Sequence, residues 1–167
     1  WQLGLQVFSE LDGHIKPDVI SYSAAISACE KAGKWQLALL LFEDMPSSKI
    51  FPNIISLNAA IASCEKGHQW LLALHFLHCS RWTSMRPDVI SYSSVLSACA
   101  TQGQWRWALE VYGRMKGETL EMWLDVISCN AAISSCEKGT QWPAACYLLQ
   151  GLTDVISYNS AISSCRR

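Results

Sequence analysis

The stretch "DVISYSAAISACEKAGKW" occupies residues 18–35 and returns as "NIISLNAAIASCEKGHQW" at 53–70, "DVISYSSVLSACATQGQW" at 88–105 and "DVISCNAAISSCEKGTQW" at 125–142. A fifth copy begins as "DVISYNSAISSC" at 154–165. The phrase opens at Asp18, Asn53, Asp88, Asp125 and Asp154, at intervals of 35, 35, 37 and 29 residues. A period of this size means stacked supersecondary units, each too small to bury its own apolar surface. The chain of 167 residues therefore divides into repeats. Residues 1–18 form a partial repeat (a second helix and loop), followed by repeats at 19–53, 54–88, 89–125 and 126–154 and a partial repeat, a first helix, at 155–167. The third carries a two-residue insertion in "KGETLEMWL", and the fourth has a shortened loop, with only "LT" before Asp154. The opening "WQLGLQVF" aligns with "WQLALLLF" at 35, the middle of a unit, so both ends are expected to be cut and a targeting segment cannot be judged.

Inside a unit, with Val19, Ile54, Val89, Val126 and Val155 as position 1, apolar or small residues recur at positions 4, 7, 8 and 11. These are Tyr22, Ala25, Ile26 and Cys29 in the first unit and Leu57, Ala60, Ile61 and Cys64 in the second. Such steps draw one stripe on a helix. A second stripe runs through positions 17, 20, 21, 24 and 27, as in Trp35, Ala38, Leu39, Phe42 and Met45. Between the two lies a Gly-bearing turn ("KAGK", "KGHQ", "TQGQ", "KGTQ"), where glycine is expected to relieve the left-handed conformation that ends many helices. Serine at position 3 (Ser21, Ser56, Ser91, Ser128, Ser157) is expected to cap the first helix. Each unit is then a helical hairpin, and the fold class is all-α: a curved α-solenoid of stacked helix-turn-helix repeats with the first helices forming an inner row.

A further face of the first helix, at positions 2, 5, 9 and 13, is not a core stripe. It reads Ile20, Ser23, Ser27, Lys31, then Ile55, Asn58, Ala62, Lys66, then Ile90, Ser93, Ser97, Thr101, then Ile127, Asn130, Ser134, Lys138. In one unit alone this would be ordinary solvated surface. Repeated, with Ile at position 2 of every unit down to Ile156, it supplies what a nucleotide needs: a wall to stack on, a hydrogen-bonding group for a base edge and a cation for the phosphate.

The 35-residue period, the "V-I-S-Y-[SN]" opening, the Gly turn, "A-L-x-x-[FY]-x-x-M" and the closing "P-[DN]" together resemble the pentatricopeptide repeat, over essentially the whole chain. The tetratricopeptide repeat competes, but its Trp stands early in the first helix, whereas Trp35, Trp70, Trp105 and Trp142 begin the second. The resemblance implies sequence-specific binding of single-stranded RNA, one base per repeat, with the strand running 5′ to 3′ from N to C. In that family the fifth and the last residue of a unit select the base, and position-2 residues of neighbouring units clamp it. Carried over, Ser23 with Asn53 favours adenine, Asn58 with Asp88 uracil with cytosine tolerated, Ser93 with Asp125 guanine and Asn130 with Asp154 uracil. Asn159 opens an incomplete pair, and Ile20, Ile55, Ile90, Ile127 and Ile156 are the clamps. Lys31, Lys66 and Lys138 are the candidate phosphate contacts. The family also implies a mitochondrion or plastid, with other RNA-processing proteins as partners.

The remaining chemistry is sparse. Eight cysteines are present, and five (Cys29, Cys64, Cys99, Cys136, Cys165) share position 11 of the core stripe. Equivalent points on packed helices stand about 8–10 Å apart, too far for a disulfide, so these residues read as small buried apolar groups. His68, His75, His78 and Cys79 form the one metal-like group; it occurs in a single unit, and no metal or other cofactor is expected. The repeated Trp residues read as core packing, while Trp82, Trp107 and Trp123 lie off that phase. No nucleophile motif, phosphate loop or recurring carboxylate pair is present, so neither an enzyme nor a small-molecule substrate is expected. The longest strongly apolar run, Leu37–Phe42, is far shorter than a membrane span. A net charge of −1 is less basic than nucleic-acid binders usually are, and keeps open an alternative: a protein-binding helical-repeat scaffold.

Overall fold

The computed structural model describes residues 2, 17–80, 85–118, 126–149, 158–159 and 161–162. They fold as helices α1 (Val19–Lys31), α2 (Trp35–Ser47), α3 (Ile54–Lys66), α4 (Trp70–Ser80), α5 (Val89–Thr101), α6 (Trp105–Glu118), α7 (Val126–Lys138) and α8 (Trp142–Leu149). Among the described residues there is no strand, and none of these helices is long and apolar enough to cross a membrane. The chain forms two compact units, Trp1–Ser91 and Tyr92–Arg167.

In the first unit α1 packs on α2 and α3, and α3 packs in turn on α2 and α4. The predicted stripe is the core: Tyr22, Ala25, Ile26 and Cys29 of α1 and Leu57, Ala60, Ile61 and Cys64 of α3 are all buried. Ala38, Leu39, Phe42 and Met45 of α2 close over them, with the Phe42 ring edge-on to Phe76 of α4 at 5.3 Å between centroids. The second unit repeats the scheme. Tyr92, Val95, Leu96 and Cys99 of α5 and Cys129, Ala132, Ile133 and Cys136 of α7 are buried, and α7 packs on both α6 and α8. Burial drives the position-11 thiols away from ionisation: Cys64 and Cys99 are pushed up to about 12 and Cys136 to about 11. Cys29, Cys64, Cys99 and Cys136 are free thiols, and Cys165 lies outside the described residues.

The turns correct one expectation. The left-handed residue is always the third of the turn, whatever its identity: Gly33 (φ 67°), His68 (φ 56°), Gly103 (φ 65°) and Thr140 (φ 55°). Glycine relieves it only in the first and third turns. In the second, Gly67 caps α3 with an ordinary φ of −81°. Its service is steric, because a Cβ there would overlap the indole of Trp35 from the preceding hairpin. Gly139 bears the same relation to Trp105. These tryptophans, half-buried at the edge of the α2 and α6 stripes, therefore lie on the turn of the next hairpin. Trp142 of α8 is exposed, Trp107 is largely so, and Trp82 and Trp123 fall outside the described residues.

Candidate nucleic-acid interface

The entry of each first helix fixes the candidate face. In α1, α3 and α5 the serine is not the cap; the residue just before the helix is. Asp18 accepts from the Ser21 amide at 2.8 Å, Asn53 Oδ1 from the Ser56 amide at 2.9 Å and Asp88 Oδ1 from the Ser91 amide at 2.9 Å. The serine hydroxyls serve the other half of a capping box, accepting from the Asn53 amide at 3.0 Å and from the Asp88 amide at 3.2 Å. Ser, Asn and Asp cap about equally well, so place in the chain decides: the Asp or Asn stands just before the helix, at the N-cap, and the serine stands at the third helical position, where it completes the box. At Asp18 the Ser21 amide, and then its hydroxyl, hold the carboxyl below its usual value. The "[DN]-x-x-S" spacing carried this signal, and the expectation from sequence fell on the wrong member of the pair.

Capping places the last residue of one unit beside the fifth position of the same unit, one hairpin earlier. Asn58 Nδ2 lies 3.1 Å from each carboxylate oxygen of Asp88. In the first unit the pair is looser. Ser23 is buried and donates to the Val19 carbonyl at 2.7 Å, with Asn53 Oδ1 at 3.5 Å. The structure thus brings Ser23 to Asn53 and Asn58 to Asp88. Ser93 and Asn130 are half-buried at the same place on α5 and α7, and Asn159 is exposed in a helical turn; Asp125 and Asp154 lie outside the described residues.

The aliphatic wall stands clear of the core. Ile20 is 75% exposed, and Ile55 and Ile90 are each 60% exposed, whereas Ile26 and Ile61 on the core faces of α1 and α3 are fully buried. Ile127 is the second residue of α7, its side chain outside the description, as is all of Ile156. The cations lie exposed at the far ends of the first helices. Lys66 Nζ makes an ion pair with Glu30 of the preceding hairpin, and Lys138 Nζ donates to the Thr101 carbonyl at 3.4 Å. Glu30 as a partner was missed, although a period of 35 plus one step relates the two residues. On α4, Cys79 Sγ lies 3.5 Å from His75 Nε2, and among the described residues no group of three or more His, Cys, Asp and Glu could hold a metal ion.

Where the described residues show it whole, a first helix therefore offers an exposed aliphatic group, a polar pair and a terminal cation, in register. Comparison with known proteins gives this pattern its place. The PPR repeat family matches residues 17–66, and the PPR repeat matches residues 90–120. Among curated proteins none matches the chain in sequence. Among solved structures the chain is similar to the pentatricopeptide repeat protein PPR10 from maize, at TM-score 0.76 and 20% identity over 96% of this chain and 24% of that one. PPR10 in complex with an 18-nt psaJ RNA element matches at TM-score 0.75 and 22% identity, with the same coverage. The PPR domain of Arabidopsis thaliana protein-only RNase P 1, in complex with tRNA, matches at TM-score 0.83 and 14% identity over 99% of this chain and 90% of that domain. The chain spans about a quarter of the length of PPR10. Its fold class is the all-α solenoid of stacked helical hairpins, and its repeats over residues 17–66 and 90–120 belong to the pentatricopeptide repeat family.

Proposed function

We propose that this protein binds single-stranded RNA along the row of its first helices, one base per hairpin, with the strand 5′ to 3′ from N to C. The observation that carries the reading is the bond between Asn58 and Asp88: two residues 30 apart in sequence form one polar edge, next to the exposed Ile55 and Ile90. A carboxamide and a carboxylate side by side supply both a donor and an acceptor, which suits a pyrimidine edge bearing a carbonyl and a ring N–H. The aliphatic groups on either side suit the base faces. On this reading Ser23 with Asn53 takes adenine, Asn58 with Asp88 uracil, Ser93 with Asp125 guanine and Asn130 with Asp154 uracil, a core of A-U-G-U. Lys31, Lys66 and Lys138 meet phosphates. Solved relatives that hold a psaJ RNA element or a tRNA support RNA as the ligand class. The family resemblance extends the proposal to organellar RNA processing, stability or translation in a mitochondrion or plastid, alongside other RNA-processing proteins.

The test is Asn58→Ser. The shorter side chain leaves room for a purine while Asp88 stays in place, so preference at the second base should move from uracil toward guanine, by about 1–3 kcal/mol for a good base contact. Equal loss of affinity for every base would end the reading and favour a protein ligand on this face.

A further inference from the structure

Asn58 has a second partner. Its Oδ1 receives the hydroxyl of Ser91, 2.5 Å away, and Ser91 is fully buried. That hydroxyl has one proton and two acceptors within reach, Asn58 Oδ1 and Asp88 Oδ1, the latter at 3.0 Å. Asp88 Oδ1 already accepts from the Ser91 amide and from Asn58 Nδ2, so the proton belongs to the shorter contact with the carboxamide. The carboxamide is consequently held from both ends, its oxygen by Ser91 and its nitrogen by the Asp88 carboxylate.

We propose that Ser91 is a positioning residue for the second base: by occupying the oxygen of Asn58 it makes the carboxamide meet RNA as a donor, which selects uracil over cytosine. This rests on the base-per-hairpin reading above. At the edge where the two pyrimidines differ, uracil carries a carbonyl acceptor and cytosine an amino donor. A carboxamide whose oxygen is already engaged answers the first and has less to give the second. The selecting set of this hairpin is then three residues, and the third comes from the hairpin that follows.

The first hairpin supplies the internal control. Ser56 is the same capping-box serine, equally buried, and its hydroxyl likewise accepts from the backbone amide of its cap residue. With a short Ser23 at the reading position its proton goes instead to the Asn53 carbonyl at 2.9 Å. A serine that mattered only for helix entry would behave alike at both places; a positioning residue acts only at Ser91.

The experiment measures binding of the whole chain to RNA oligonucleotides that carry the A-U-G-U core and differ only at the first or second base. Ser91→Ala should lower the uracil-over-cytosine ratio at the second base by about two- to tenfold, the scale of one hydrogen bond. Ser91→Thr, which keeps the hydroxyl, should preserve the ratio, and Ser56→Ala should leave preference at the first base unchanged although it loses the same capping bond. Thermal unfolding of each variant tracks the capping loss separately; should Ser91→Ala not fold, Ser91→Cys, with its weak thiol donor, takes its place and should reduce the ratio in the same direction. Uracil preference in the parent chain with an unchanged ratio in Ser91→Ala overturns the proposal and leaves the base-per-hairpin reading standing. Absence of any base preference in the parent chain overturns both.

Discussion

Asp88 closes two structures at once: its carboxylate caps α5 through the Ser91 amide and holds the Asn58 carboxamide of α3. The residue proposed to help choose a base is therefore also a residue the helix needs. Ordinary loop positions can vary freely; this one is confined to side chains that cap, and Asn53 and Asp18 at the equivalent places obey the same limit.

That confinement is measurable. Asp88→Ala should cost about 1 kcal/mol of stability through the lost cap, whereas Asp88→Asn, a cap of equal rank, should stay within a few tenths while changing base preference. Denaturant unfolding separates the two. Equal destabilisation by both substitutions would show that the negative charge, not the cap, is what α5 requires.

The lysines give a second outcome. Since Lys66 is paired with Glu30, a phosphate must displace the carboxylate to reach it. Glu30→Gln should strengthen RNA binding at low salt for every sequence. Lys66→Ala should weaken every sequence and flatten the logarithmic salt dependence by roughly 0.7, the share of one phosphate neutralised on a single strand. A Lys66→Ala protein with the parental salt slope would remove Lys66 from the phosphate set. As the pair is partly exposed, its rupture alone should alter stability by less than about 1 kcal/mol.

The buried thiols make a prediction in pH. Cys64 and Cys99 ionise near 12 in the folded chain against a reference of 9.0, so the unfolded state gives up those protons first. Their contribution to stability is whole below pH 9 and is lost as the pH rises from there toward 12. Near neutral pH a thiol reagent should label the exposed Cys146 quickly and Cys64 and Cys99 only on the timescale of unfolding. Fast modification of Cys64 in the folded protein would contradict the packing described for α3.

Gly67→Ala tests the seat beneath Trp35. With the indole pressed on the glycine, the added methyl should destabilise by about 1–3 kcal/mol, as overpacking does. Trp35→Ala should absorb most of that penalty in the double variant, a coupling readable in a double-mutant cycle. Additive effects would mean that the methyl harms α3 and its turn for some other reason.

The core was legible in the sequence because burial follows helical period: positions 4, 7, 8 and 11 needed only counting, and Ile26, Ile61, Leu96 and Ile133 are all buried where counting put them. The exposed Ile20, Ile55 and Ile90 were legible for the complementary reason, as apolar residues out of phase. The capping roles were not, since Ser and Asp are both good caps and only geometry says which of two neighbours accepts. The turn glycines misled because glycine serves both backbone freedom and close approach, and a one-residue shift between "KAGK" and "KGHQ" exchanges one use for the other. The Ser91–Asn58 bond spans 33 residues and depends on side-chain reach that no local pattern encodes.

The tryptophan seated on glycine also bears on how such a gene can change. Tandem repeats invite unequal crossing-over, and a clean exchange of one period would copy residues 19–53 directly behind themselves. The duplicate would then set the methyl of an Ala32 counterpart where Gly67 now lies, under the indole of Trp35. The two repeats share a length and nearly a sequence, yet they are not interchangeable at that joint. The sequence itself places Gln102 at the matching position after Trp70, so the constraint is local to the joints where the indole lies on the turn, Trp35 on Gly67 and Trp105 on Gly139; a stable, fully folded product of the direct duplication would refute it at the first.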